Sequence, residues 1–341
     1  MRVTVTGATG LIGRRLVAAL LERGDEVTVL SRDPKRARAA LGAAVPSDAH
    51  VDSPSARLDT NPADVDSPAA RRDTNPAHAD SLAAMRWDPN GEPAPPQALA
   101  GAEAVVHLVG ENVAQRWSES AKRAIRESRV LGTRNLVLGI EAVAQGERPK
   151  VLVSGSAIGY YGAHGDEPID EDSPAGEDFL AQTCAQWEAE AQAAARLGVR
   201  VTKVRTGVVL DSEGGALGKM LPAFKLGVGG PVASGRQYIS WIHTDDVLGI
   251  LLAAIDDERW QGAINATAPA PQRNRDFSKA LGRALHRPSL LPVPGIALRL
   301  MYGDMAQIVT EGARVLPAKA LVLGYEFRHP QLDEALRAVL G

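Results

Sequence analysis

Two hydrophobic rhythms alternate along the chain. Residues 2–6, RVTVT, form an apolar, β-branched run that stops at Gly7, the pattern of a buried strand. Leu11, Ile12, Leu16, Ala19 and Leu20 recur at helical spacing, and Gly24 ends that stretch. Residues 26–30, EVTVL, read as a second strand, so a β-α-β unit with parallel strands is predicted. Further strands are predicted at MRW (85–87), AEAVVHLVG (102–110), KVLVSGS (150–156) and VRVTKVR (199–205). Helical patterns cover about 118–145 and 177–198. This alternation predicts an α/β fold, a Rossmann-type doubly wound parallel sheet. From Arg205 onward glycine and proline become denser, and the stretch from Asn274 to the end reads as mostly helical. The expected organisation is a Rossmann domain over 1–212 and a smaller, mostly helical lobe over 213–341, with residues near 236–270 returning to the sheet.

The rhythm is interrupted over residues 46–82. VDSPSARLDTNPAD (51–64) is followed by VDSPAARRDTNPAH (65–78), and a partial third copy begins ADS. The 14-residue period equals two heptads, but each unit carries two prolines and almost no large apolar residue. No coiled-coil seam can form from it. A disordered surface insertion is predicted, with a partner-binding tail as the alternative.

The turn after the first strand is Gly7-Ala8-Thr9-Gly10-Leu11-Ile12-Gly13, a G-x-x-G-x-x-G sequence between a strand and a helix. Glycines there permit a tight turn, bring backbone close to a pyrophosphate and let the helix pack on the strand. The helix N-terminus then faces the anion. A dinucleotide site is predicted on Gly7, Thr9, Gly10, Leu11, Ile12 and Gly13. The second strand ends Leu30-Ser31-Arg32-Asp33. Ser31 and Arg32 suit a ribose 2′-phosphate, which favours NADP(H) over NAD(H). Asp33 is the counter-argument, because a carboxylate there can accept from an NAD ribose hydroxyl.

Composition narrows the partners. A hydrophobic fraction of 45% allows an ordinary globular core. The net charge of −3 provides no global basic field for nucleic acid or anionic lipid. A single cysteine, Cys184, excludes an intrachain disulfide and argues against a cysteine-based metal site; no other metal-ligand cluster stands out. The amino terminus lacks an apolar signal core, and no apolar run reaches ~18 residues. The expectation is a cytoplasmic protein with a small-molecule substrate and no metal, nucleic-acid or membrane partner; a homodimer is left open.

TGATGLIG at the amino terminus, SGSAIGYYG (154–162) and SWIHTDDV (240–247) together resemble the extended short-chain dehydrogenase/reductase superfamily. More narrowly, HLVGENV (107–113), QWEAEA (186–191), RTGVVLDSEGGAL (205–217) and GYEF (324–327) resemble its atypical, NAD-dependent epimerase/dehydratase-like subgroup, which has its own carboxy-terminal domain. The resemblance covers nearly the whole chain except the repeats. It implies further cofactor contacts from Leu108, Val109 and Gly110, from Arg129 on the next helix, and from Val209 near the nicotinamide. The apolar members also suit a core, and Arg129 also suits a pairing within its own helix.

The superfamily's usual base is a Tyr-x-x-x-Lys pair on one helix, whose lysine lowers the phenol's pKa. None of the five tyrosines here has a lysine four places on. What remains is Ser156, where the superfamily places its hydroxyl, with Tyr160 and Tyr161 on the same loop. A tyrosine without such a lysine, at the ordinary pKa of about 10, is protonated near neutral pH and suits an acid in carbonyl reduction. Glu188 and His243 are alternative acids or bases; a surface carboxylate and a structural histidine are their plainer roles. Two functions follow: an NADP(H)-dependent oxidoreductase or epimerase-like enzyme, or an NADP(H)-binding sensor with little turnover.

Deleting residues 51–78 is expected to leave the melting temperature within about 2 °C and cofactor affinity unchanged. Thermal unfolding with and without NADPH checks this. A drop of many degrees, or lost binding, would mean that the segment packs on the domain.

Overall fold

β-branched and aliphatic runs build the central layer of the computed structural model, which describes residues 1–42 and 81–341. The repeats expected to be disordered fall in 43–80 and lie outside the described residues. Seven strands pair in parallel: β1 (Arg2–Thr6), β2 (Glu26–Ser31), β3 (Leu82–Arg86), β4 (Ala104–His107), β5 (Val151–Ala157), β6 (Arg200–Thr206) and β7 (Gly262–Ala266). Their order across the sheet is β7-β6-β5-β4-β1-β2-β3. The order reverses between β1 and β4, so the crevice for a ligand opens at the carboxyl ends of these two strands.

Helices cover both faces because each presents an apolar stripe. Leu16 and Leu20 of α1 (Leu11–Glu22) pack with Val247 and Ile250 of α6 (Thr244–Asp256) against Val3, Val5 and Val29. On the other face, Leu136 and Ile140 of α3 (Glu119–Glu141) and Ala191 of α4 (Phe179–Gln192) pack on Val105, Leu152 and Val201. Burying one such leucine contributes about 1.5–3 kcal/mol. Side-chain caps set where α3 and α4 begin: Ser118 accepts from the Ala121 N–H, and Asp178 from those of Leu180 and Ala181. Between β2 and the repeats runs α2 (Pro34–Gly42).

Strand ends differ from the expected ones for physical reasons. β4 has four residues rather than nine, because Leu108–Gly110 leave the sheet to cross the glycine turn. β3 already begins at Leu82, the last residue of the expected insertion, which joins the sheet opposite Val27. The carboxy-terminal lobe contains α5 (Gly215–Lys225), α7 (Asn274–Ala284), α8 (Gly295–Tyr302) and α9 (Leu332–Leu340), besides shorter pieces. Its own core joins Leu217, Phe224, Trp241, Phe277 and Leu336. Between them, α6 and β7 cross back to the sheet layer. No helix among the described residues is long and apolar enough to cross a membrane.

His107 ends β4 with no solvent exposure, and hydroxyls meet both ring nitrogens: Thr6 Oγ1 at 2.7 Å and Thr133 Oγ1 at 3.1 Å. Burial pushes its pKa from 6.5 down to about 3. The unfolded chain therefore binds a proton that the native state refuses. The stabilisation is complete above pH 6.5 and is lost as pH falls toward 3. Between pH 7.5 and 5 this one group should remove about 2 kcal/mol. Urea unfolding at the two pH values should show His107→Gln losing less stability than the unmodified protein by about that amount; equal losses would contradict a neutral, buried ring.

Candidate active site

The turn after β1 is built on backbone-to-backbone contact. Gly7 adopts φ +69°, and a Cβ there would lie 2.6 Å from the Leu108 carbonyl carbon. A Cβ on Gly13 would overlap the Gly7 carbonyl oxygen, so both glycines are demanded by the protein's own packing. Gly10 differs. It precedes α1 with φ −74°, and its nearest obstacle is the Gly7 oxygen, 3.3 Å from a built Cβ. Its bareness, with exposed Thr9 beside it, leaves the α1 N-terminus open to approach. No side chain caps this terminus and its first turn holds no acid, so its amide dipoles favour an anion. Ile12 packs into the core, while Leu11 reaches across the crevice to within 3.5 Å of a Cβ built on Gly215.

Beside this turn, β2 ends at Ser31. Asp33 is already engaged: its Oδ1 accepts from the Arg36 N–H at 3.0 Å, capping α2, and its own N–H donates to Ser31 Oγ at 3.2 Å. Arg32 is exposed, with no ion pair or hydrogen bond to any described residue. One oxygen of the carboxylate that could serve a ribose hydroxyl is thus engaged at a helix end, and the Arg32 guanidinium is free.

Leu108 and Val109 are half-buried on the other flank of the turn. The Arg129 guanidinium lies against Gly110, donates to the carbonyls of Glu111 and Ile125 (both 3.0 Å), and sits 5.3 Å from the Trp187 ring. Both expected roles thus stay open to it, since it is tied to its own helix yet lines the crevice wall. Val209 packs on the main core, and its carbonyl faces Gly215. Asp211 holds this stretch down by pairing with Arg15 (2.9 Å) and accepting from the Thr244 hydroxyl (3.0 Å).

Around the loop after β5 lies a buried polar network that the sequence did not suggest. Ser156 Oγ donates to Glu188 Oε1 at 2.7 Å. Arg205 donates to both Glu188 oxygens, at 2.7 and 2.9 Å, and to the Tyr161 hydroxyl at 2.8 Å. Tyr161 in turn donates to Asn265 Oδ1 at 2.7 Å. Glu188 and Arg205 are only 5% and 4% exposed, so Glu188 is not the surface carboxylate its sequence position suggested. Burial alone would lower the Arg205 pKa, but the hydrogen bonds and charge of Glu188 outweigh it and raise the value. Burial pushes the fully enclosed Tyr161 phenol up to about 12.

These contacts separate the three expected catalytic hydroxyls. The Ser156 and Tyr161 protons are committed inside the network. Tyr160 is half-buried, its ring is stacked 3.5 Å from the Arg205 guanidinium carbon, and its hydroxyl makes no hydrogen bond with the described residues. Cys184 is buried and its thiol is pushed up to about 12, chiefly by burial, which suits a packing residue. His243 caps α6: its Nδ1 accepts from the Asp245 N–H at 3.1 Å. His243, Asp245 and His329 place possible ligand atoms within 4.8 Å of one another. With Nδ1 accepting, however, the neutral His243 ring carries its proton on Nε2 and keeps no lone pair for a metal.

Arg205 is the residue that sequence reasoning missed. A signal existed: a strand buried on both faces is normally apolar throughout, yet β6 carries Lys203 and Arg205 on one face. Cations so placed require a buried anion, and Glu188 was available.

Sheet order, glycine turn and tyrosine loop define a dinucleotide-binding Rossmann protein of the atypical extended short-chain dehydrogenase/reductase type. The model of the NAD dependent epimerase/dehydratase family matches residues 3–266, and the chain belongs to that family. A second model, a domain of unknown function (DUF1731), matches residues 293–339, the carboxy-terminal domain expected for the subgroup. The chain is 38% identical to the Arabidopsis thaliana "Epimerase family protein SDR39U1 homolog, chloroplastic" over 340 residues, 100% of this chain and 87% of that one. Its structure is similar to that of human epimerase family protein SDR39U1 (isoform2), solved with NADPH, with a TM-score of 0.78, 32% identity and 99% of each chain covered. UDP-glucuronic acid 4-epimerase from Bacillus cereus shares the fold alone: the TM-score is 0.70 at 15% identity, over 99% of this chain and 97% of that one.

Glu188→Gln leaves a buried guanidinium without its anion and should cost about 3–5 kcal/mol in urea unfolding. Glu188→Leu combined with Arg205→Met should recover most of that loss, because no uncompensated charge remains. A cost below about 1 kcal/mol for the single change would contradict a desolvated pair.

Proposed function

We propose that the chain is an NADP(H)-dependent oxidoreductase that reduces a carbonyl group of a small molecule, with Tyr160 donating the proton. The observation that carries this reading is the arrangement after β2: one oxygen of Asp33 is engaged in capping α2, while the exposed Arg32 guanidinium stands free beside Ser31. A 2′-phosphate is the group that Arg32 and Ser31 can hold, through a charge-assisted bond and a hydroxyl bond. The human relative solved with NADPH supports the same choice.

The described residues fit the cofactor. Thr9, Gly10, Leu11, Ile12 and Gly13 bring backbone and the uncapped α1 N-terminus to a pyrophosphate. Gly7, Leu108, Val109 and Gly110 form the floor, Arg129 flanks it, and Val209 bounds the nicotinamide end. The nicotinamide supplies the hydride when bound. Tyr160 offers its uncommitted hydroxyl to the carbonyl oxygen, and Arg205, stacked on its ring, fixes its direction. Ser156 holds Glu188, which holds Arg205. This assigns Ser156 and Tyr161 to positioning Tyr160 rather than to touching the substrate. The single, buried cysteine supports a reducing compartment such as the cytoplasm.

The absent Tyr-x-x-x-Lys pair supports the second reading, a cofactor-binding sensor. The two are separated by following NADPH and NADH oxidation against a panel of carbonyl compounds and sugar nucleotides, with calorimetric titration of both cofactors. NADPH should bind about ten- to a hundredfold more tightly than NADH, and Arg32→Ala should remove most of that difference. Tyr160→Phe should lower turnover by about a hundredfold or more and leave NADPH affinity intact. Equal affinities would sink the 2′-phosphate assignment. Tight NADPH binding with no compound reduced would favour the sensor.

A further inference from the structure

The large apolar side chains left exposed on the carboxy-terminal lobe are grouped. Leu226 (78% exposed) and Val228 follow α5, and Leu290 (80%) and Leu291 lie in the loop after α7. Ile296 (73%), Leu300 (75%) and Met301 project from α8, none of whose residues is buried. Backbone contacts hold the two stretches side by side. Arg287 Nε donates to the Lys225 carbonyl at 3.1 Å, and Pro288 faces Gly227. Val232 pairs with Val293, and the Ala233 N–H donates to the Val293 carbonyl at 2.9 Å.

Charge is segregated in the same stretches. Residues 214–244 contain Lys219, Lys225 and Arg236 but no aspartate or glutamate before Asp245. Residues 277–303 contain Lys279, Arg283, Arg287 and Arg299 and no acid; Asp304, near Arg299, is paired with Lys122, and Lys279 and Arg283 lie beside Asp276 and Asp333. The chain as a whole has 41 acidic and 38 basic residues, so this separation is local and strong. Arg283 is paired with Asp333, but Lys225, Arg287 and Arg299 have no ion-pair partner among the described residues.

We propose that this surface docks the protein peripherally on an anionic lipid bilayer. Apolar side chains that stand out between cations match an interfacial lipid surface: the former enter the headgroup boundary and the latter meet lipid phosphates. A second copy of the chain fits poorly. A two-fold contact would bring Lys225, Arg287 and Arg299, none of them ion-paired among the described residues, toward their own copies. An apolar small molecule fits poorly too, because side chains more than seven-tenths exposed enclose no cavity. The attachment is at the surface, since no described helix is suited to span the bilayer.

The test is co-sedimentation of the full chain, saturated with NADPH, with vesicles of phosphatidylcholine alone or mixed in equal parts with phosphatidylglycerol. Binding to the mixed vesicles at low salt, weakened at high salt and slight on phosphatidylcholine, is expected. Each basic residue near such a surface contributes about fivefold in partition, so Lys225→Glu with Arg299→Glu should lower binding by about 25-fold or more. Ile296→Glu with Leu300→Glu should lower it at least about tenfold by removing the apolar contact. All these side chains are exposed, and unchanged NADPH affinity would certify the fold of each variant. Absence of binding by the unmodified protein overturns the proposal, as does equal binding to both vesicle types or unaffected binding by folded variants. Light scattering that finds a dimer which Ile296→Glu with Leu300→Glu dissociates would also overturn it, assigning the surface to a second copy.

Discussion

A Cβ on Gly7 would occupy the space taken by the Leu108 carbonyl, and one on Gly13 would collide with the carbonyl of Gly7. The chain leaving β1 and the chain leaving β4 therefore run in backbone contact, with α1 seated directly on the turn. Everything at the crevice inherits its position from this contact. It places the α1 N-terminus at the point where the sheet order reverses, sets Arg129 against Gly110, and brings β2 to its end at Ser31 beside the same opening. A methyl group at Gly7 would also face a backbone conformation that costs an L-residue about 1–2 kcal/mol. Gly10 is less crowded: a Cβ there would meet only the Gly7 oxygen, at 3.3 Å.

The second fixed point is the buried Glu188–Arg205 pair. Two charges taken out of water are tolerable only when their hydrogen bonds are met, and here Ser156, Tyr161 and the Glu171 carbonyl complete the set. The network spans β5, α4, β6 and β7, so it clamps the loop after β5 to the sheet. Tyr160 is the member of that loop left with an uncommitted hydroxyl. None of the tyrosines has a lysine four places on, and the loop that carries Tyr160 is held in place by the buried Arg205.

Averages over the chain conceal one feature of its surface. A net charge of −3 suggested no attraction to anionic lipid, yet the stretches that carry the exposed leucines and isoleucine also carry Lys225, Arg287 and Arg299, none of them ion-paired among the described residues. Net charge bears on long-range fields, whereas docking depends on which charges the fold gathers into one patch.

Much was legible in the residues themselves. Alternating strand and helix periods, with glycines at the turn after β1, determined the parallel sheet and the dinucleotide crevice, because backbone sterics and amphipathic spacing are local and leave their mark on consecutive residues. The basic end of β2 was visible for the same reason. Tertiary structure alone decided that Ser156 and Tyr161 spend their protons inside a network and that Glu188 is buried against Arg205. Each of these depends on which polar atoms meet once distant segments pack. A hydrogen bond of about 3 Å joining residues far apart in the chain has no period to betray it. The burial that makes it matter comes from the whole fold rather than from any one segment.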